Sequence, residues 1–114
     1  MAIKVNQKAL RHAKRLIKEG SIAEDSDHWG KHAPTTAKQN RFIKEHGIAE
    51  FSKWYLGIDP SEDKDNKGTY SFPFGDFTKV HRDGVIAAKS RAAQFDHTAV
   101  KNAADELLRL IDGE

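Results

Sequence analysis

The sequence predicts an all-α protein, a small bundle of four or five helices with a short extended strap of aromatic residues. Apolar residues recur at intervals of three and four along most of the 114 residues, which is the spacing of an amphipathic helix. Capping residues and glycines flank several of these runs. Strict alternation of apolar and polar residues, which is typical of a strand, is confined to residues 69–74.

A first helix is predicted from Asn6, which is a favourable N-cap residue, to about Glu19, and Gly20 follows as the stop. Its apolar stripe is narrow, which is typical of a helix that packs on a surface and contributes little to the core. We therefore expect residues 1–20 to form a basic helix that is loosely attached to the body. The stripe consists of Leu10, Ala13, Leu16 and Ile17.

Two further helices are predicted in the first half of the chain. One begins after Pro34, near Thr35, and runs to His46, where Gly47 ends it. The other covers residues 48–56 and carries bulky aromatic side chains on one side. Because a single glycine separates the two, they are expected to form a corner or a helical hairpin.

An exposed loop and an extended strap follow. Residues 59–68 hold no large apolar side chain, which is typical of an exposed loop. Tyr70, Phe72 and Phe74 alternate with smaller residues, so this segment is predicted to be extended. Pro73 cannot donate a backbone hydrogen bond, which restricts the segment to an edge strand or to a strap over the helices.

The last third of the chain is predicted to hold two helices. Asp76 can cap a helix over residues 77–94, and a break at Asp83–Gly84 is the main alternative. A final helix, for which Asp96, His97 and Thr98 offer the cap, runs to Ile111 and has the clearest amphipathic pattern in the chain. The aromatic residues of the third helix and the strap, with the apolar face of this last helix, are expected to form most of the core.

Length and composition exclude several classes of function. A chain of 114 residues predicts one domain over residues 1–114. Because the chain holds no cysteine, disulfides, thiolate nucleophiles and cysteine-based zinc sites are excluded. No apolar run approaches the roughly 20 residues that span a bilayer, and we see no signal peptide. We therefore expect a cytoplasmic protein without contact with a membrane.

The strongest charge feature is the basic N-terminal segment. Residues 1–20 contain six basic side chains and one acidic residue, Glu19, whereas the whole chain has a net charge of +2. Such a segment is a candidate contact for nucleic acid or for an acidic protein, and a solvated helix face is the alternative. The six candidate binding residues are Lys4, Lys8, Arg11, Lys14, Arg15 and Lys18.

A second candidate site surrounds His81. Together with Asp76, Arg82 and Arg91, this imidazole could act as a general acid or base beside an anion clamp. In the alternative interpretation, Asp76 stabilises the N-terminus of a helix and His81 packs or hydrogen-bonds within the fold. These four residues are the weak candidates for catalysis.

Metal and cofactor sites are not expected. His28 and His32 have the spacing of two ligands on one helix face, but Gly30 and Pro34 disfavour a helix there. The acidic residues of the exposed loop resemble the opening of a calcium loop, but Lys67 stands where an oxygen ligand is needed. No glycine-rich phosphate loop and no nucleophile elbow is present. Asp25 and Asp27 flank the histidine pair.

Three motifs occur in a characteristic order along the chain. They are Trp29-Gly30-Lys31-His32-Ala33-Pro34, Gln39-Asn40-x-Phe42-Ile43-x-x-His46-Gly47 and Phe72-Pro73-Phe74-Gly75-Asp76-Phe77-x-x-Val80-His81-Arg82. This order resembles a family of small, uncharacterised bacterial proteins of about this length. The likeness covers roughly residues 28–112, and the last two helices are similar to a short module of some phage-related proteins. The resemblance implies a compact bacterial domain, but no activity, cofactor or catalytic residue.

From these observations we expect a small, non-enzymatic binding module that contacts a protein or an acidic polymer through its basic N-terminal helix. The alternative is a small enzyme or ligand-binding protein with its site around His81.

Overall fold

A computed structural model describes residues 3–23 and 29–113, except for the side chain of His32. The α-helices in this part of the chain are α1 (Gln7–Lys18), α2 (Trp29–His32), α3 (Thr36–His46), α4 (Ile48–Ser52), α5 (Arg82–Gln94) and α6 (Thr98–Ile111). The strands are β1 (Lys4–Val5), β2 (Ile22–Ala23), β3 (Tyr55–Ile58), β4 (Tyr70–Pro73) and β5 (Val80–His81).

The fold is mixed α/β, so the all-α prediction is wrong. Strands β1, β3 and β4 form an antiparallel sheet with β3 in the centre. Strands β2 and β5 form a separate parallel pair, in which Ile22 lies opposite Val80. Three of the five strands are only two residues long, and a segment of two residues is too short to show an alternating pattern.

The segment predicted to be the third helix, residues 48–56, contains a short helix followed by the start of a strand. Helix α4 ends at Ser52, Trp54 lies in a turn, and Tyr55 begins the central strand β3. This strand is buried from Tyr55 to Gly57, so its sequence is a continuous apolar run that periodicity cannot distinguish from a helix. Gly57 permits the close approach of β4, because a Cβ atom here would lie 2.7 Å from the Phe72 ring.

The predicted helix over residues 77–94 begins five residues later, at the first residue of α5. In place of a helical turn, the Asp76 carboxylate accepts hydrogen bonds from the backbone N–H groups of Thr78, at 2.9 Å, and Lys79, at 2.8 Å. These bonds close a tight turn, in which Phe77 has a φ of 70°. The alternative break at residues 83–84 is also wrong, since both residues lie inside α5.

The other predicted elements are confirmed. The first helix follows Asn6, and the second is capped by the Thr35 hydroxyl, which accepts a hydrogen bond from the backbone N–H of Lys38 at 3.2 Å. The last helix ends at Ile111, as predicted, and His97 directly precedes it. The aromatic strap is strand β4, and it lies at the edge of the sheet as Pro73 requires.

Helix α1 belongs to the core, whereas the sequence predicted a loosely attached helix. Ala9 and Ala13 are fully buried where α1 packs against α6 and β3. Asn6, which precedes the helix, is buried as well, and its amide donates hydrogen bonds to the backbone oxygens of Ser52, at 2.8 Å, and Tyr55, at 3.1 Å. The N-terminal segment is therefore anchored to the central strand and to the end of α4.

Candidate functional site

Five residues line a hollow of about 220 Å³ on the outer face of α1. Lys8, Arg11 and Arg15 lie on successive turns of the helix, and Lys53 joins them from the C-terminal end of α4. The fifth residue is His12. We call this surface the basic hollow. Its four cationic side chains make it a candidate site for an anion.

The ring of His12 is fixed between the protein core and the basic hollow. It meets the Trp54 ring edge to face, with 5.0 Å between the ring centroids. Its Nδ1 lies 3.1 Å from a guanidinium nitrogen of Arg15. Because a guanidinium only donates, Nδ1 accepts and the proton of the neutral ring is on Nε2. That Nε2 is buried and has no hydrogen-bond partner within the described residues.

The surroundings of His12 favour its neutral form. Burial lowers the pKa of the imidazole below its ordinary value of 6.5, and the neighbouring charges of Arg15 and Lys53 lower it further. Glu50 and Glu19 act in the opposite direction and are outweighed. An anion bound in the basic hollow would counter the two cations and so favour the protonated ring.

The four cations of the basic hollow differ in how they are paired. The Nζ of Lys53 lies 2.7 Å from a carboxylate oxygen of Glu50, and the Nε of Arg15 lies 3.8 Å from one of Glu19. Lys8 and Arg11 form no ion pair with another described residue. The site therefore presents two cations that are not neutralised by a neighbouring carboxylate.

The six basic residues that the sequence suggested lie in different places in the structure. Lys8, Arg11 and Arg15 line the basic hollow. Lys4 lies on β1, outside the helix, and Lys14 pairs at 2.5 Å with Glu106 of α6. Lys18, the last residue of α1, does not line the basic hollow.

Sequence reasoning missed two residues of the basic hollow. His12 could have been found, because it follows Lys8 by four residues and so shares its helix face. Lys53 comes from another helix and left no local signal in the sequence.

The four weak candidates for catalysis do not line one common cavity. His81 is buried, and its Nε2 lies 2.8 Å from an Asp76 oxygen. Arg82 makes a two-bond contact with Asp112 at the end of α6, with both distances 3.0 Å. Arg91 lines a separate cavity, where its guanidinium lies 5.8 Å from the Phe95 ring centre. Asp76 and His81 thus form one pair, Arg82 is held by Asp112, and Arg91 lies at a separate cavity.

Burial and hydrogen bonding have opposite effects on the pKa of Asp76. Burial raises the pKa of this carboxyl, but the hydrogen bonds from His81, Lys79 and Thr78 outweigh burial and lower the pKa below its ordinary value of 3.8. Asp76 is thus a charged acceptor with three hydrogen bonds. These bonds tie the tight turn to β5.

Within residues 3–23 and 29–113, no group of three or more histidine or acidic side chains is placed to hold a metal ion. The predicted histidine pair cannot be assessed, because His28, Asp25, Asp27 and the side chain of His32 lie outside the described residues. Among the helices that the structure describes, none combines the length and hydrophobicity needed to cross a membrane.

Comparisons with protein-family models, with curated proteins and with solved structures give no match to this chain. The resemblance drawn from the motifs therefore stays a prediction, and the proposals below are supported by the geometry of the chain alone.

Proposed function

We propose that the protein is a non-enzymatic binding module whose basic hollow contacts the phosphate backbone of nucleic acid. The observation that carries the proposal is the convergence of Lys8, Arg11, Arg15 and Lys53 on one hollow from two separate helices. Such a partner is available in the cytoplasm, which we propose as the location of the protein.

The geometry suits a chain of anions better than a single small one. Lys8 and Arg15 are seven residues apart, which places them roughly 10 Å apart along the helix axis. Cations spread over this distance can reach successive phosphates, and each phosphate contact releases condensed counterions. Guanidinium groups such as that of Arg11 add a fork of donors that matches the oxygens of phosphate. An acidic protein is the competing partner, and the experiment below distinguishes it.

Binding to labelled duplex DNA and to single-stranded RNA tests the proposal. Lys8→Gln combined with Arg11→Gln should weaken binding about tenfold, since two exposed charge contacts are worth together about 1.4 kcal/mol. The slope of log affinity against log salt concentration should become shallower by about two. The measurement is a fluorescence-anisotropy titration at several salt concentrations.

The matched control is Lys101→Gln combined with Arg109→Gln, which removes the same charges from α6, away from the basic hollow. Equal weakening of binding by both double variants would mean that only the net charge matters, and would show that the basic hollow is not the binding site. Salt-sensitive binding to poly-glutamate, without binding to either nucleic acid, would assign the basic hollow to an acidic protein. Deletion of residues 1–20 is unsuitable, because it removes the buried alanines of α1.

The proposal also predicts a pH dependence. A bound phosphate offsets the charges of Arg15 and Lys53, so the pKa of His12 should be higher in the complex than in the free protein, where it is below 6.5. Binding should therefore take up a proton, and affinity should rise as the pH falls from about 7.5 to about 5.5. Glu50 and Glu19 also face His12. The hydrogen bond with Lys53 lowers the pKa of the Glu50 carboxyl below its ordinary value of 4.5, so Glu50 does not titrate in this range.

The His12→Gln variant, titrated over the same pH range, is the control for this effect. Its affinity should change less with pH than that of the unaltered protein. An affinity that falls on acidification, or an unaltered pH profile in His12→Gln, would show that His12 does not sense the bound anion.

A further inference from the structure

A second cavity, of about 700 Å³, lies between β4 and α5, far larger than the basic hollow. Its volume is within the usual range for small-molecule sites. Ala87 and Ala88 of α5 line it on one side, and their small side chains leave the space open. The rest of its wall is mainly aromatic. The aromatic residues are Trp29, Phe51, Tyr55, Tyr70, Phe72 and Phe95.

The charged residues that line this aromatic cavity, among those the structure describes, are all basic. Arg91 and Lys67 line it, and none of its described lining residues is acidic. The Arg91 side chain is exposed and lies against the Phe95 ring, at the opening of the cavity. Lys67 is held by a hydrogen bond from its Nζ to the side-chain oxygen of Asn40, at 3.2 Å. A ligand with a negative group would therefore be favoured over one with a positive group.

We propose that the aromatic cavity binds a small organic anion with a flat aromatic body, whose acid group pairs with Arg91. The aromatic walls would stack against the body of the ligand, and the positive charges of Arg91 and Lys67 would favour its acid group. This site is independent of the basic hollow, so either proposal can fail without the other.

Three probes of the same shape and different charge test the inference: naphthoate, naphthylmethanol and naphthylmethylamine. Binding is followed by amide chemical shifts in NMR titrations of the full chain. Naphthoate should bind at least about tenfold more tightly than the amine, and the largest shifts should fall on β4 and α5. Equal binding of the anion and the cation, or no binding of any probe, would overturn the proposal.

Variants separate this cavity from other basic surfaces. Arg91→Gln should weaken naphthoate about tenfold and leave naphthylmethanol unchanged, whereas Arg109→Gln should affect neither. Ala87→Leu should fill the cavity and weaken all three probes. If Lys8→Gln with Arg11→Gln abolishes naphthoate binding, the probe occupies the basic hollow and the proposal is wrong.

Discussion

Replacement of Trp54 by alanine is expected to lower the free energy of unfolding by about 3–5 kcal/mol. The side chain is 5% exposed, and its ring packs against Phe74 and Phe77, with 6.0 Å between the ring centroids in both pairs. It also covers the backbone at Gly75, where a Cβ atom would lie 2.7 Å from the Trp54 ring. Because so many atoms surround the ring, the fold cannot close the space that its removal leaves.

The loss is measured by urea denaturation with the unaltered protein alongside. Leu107→Ala, at a fully buried position on α6, should cost about 2–5 kcal/mol. Phe95→Ala is the control, because this side chain is 54% exposed and its truncation should cost less than about 1 kcal/mol. Losses below about 1 kcal/mol at both Trp54 and Leu107 would contradict the core described here.

The region around Trp54 shows which elements could be predicted from the sequence and which could not. The helices α1, α3 and α6 were predicted closely because their signals are local: a cap, a period of 3.6 residues and a glycine or an equivalent stop. Strand β3, directly after Trp54, has no such signal. Its partners are Val5, about 50 positions earlier, and Ser71, more than ten positions later. Pairing over such distances is decided by the packed fold and leaves no local pattern.

The candidate sites were limited in the same way, because contacts between distant parts of the chain leave no local sequence pattern. The sequence prediction grouped six basic residues by their position in residues 1–20, and did not use helical periodicity to select Lys8, Arg11 and Arg15. The approach of Lys53 depends on how α4 packs, so it could not be predicted from α1. The candidate catalytic site grouped Asp76 with His81, but the alternative interpretation separated them, because residues five positions apart do not share a face of a helix. The tight turn before α5 brings them together instead.

Removal of the Asp76 carboxylate is expected to be the most disruptive change outside the apolar core. Asp76→Ala takes away three hydrogen bonds, two from the tight turn and one from the buried His81. Hydrogen bonds to a charged group are each worth about 1.5–3 kcal/mol, but the partly exposed position reduces their combined value. We expect a loss of about 2–3 kcal/mol in the free energy of unfolding. Asp65→Ala, in the exposed loop, is the control and should cost less than about 0.5 kcal/mol.

The pH dependence of stability distinguishes the charge of Asp76 from its shape. Because the folded-state pKa is below 3.8, the charged carboxylate stabilises the fold above that pH, and the stabilisation is lost as the pH falls through the lower folded-state value. Asp76→Asn retains an acceptor for the turn but carries no charge. The advantage of the unaltered protein over Asp76→Asn, measured by urea denaturation, should therefore be large at neutral pH and shrink as the pH falls below 3.8. An advantage that is constant with pH would mean that Asp76 acts only through its shape.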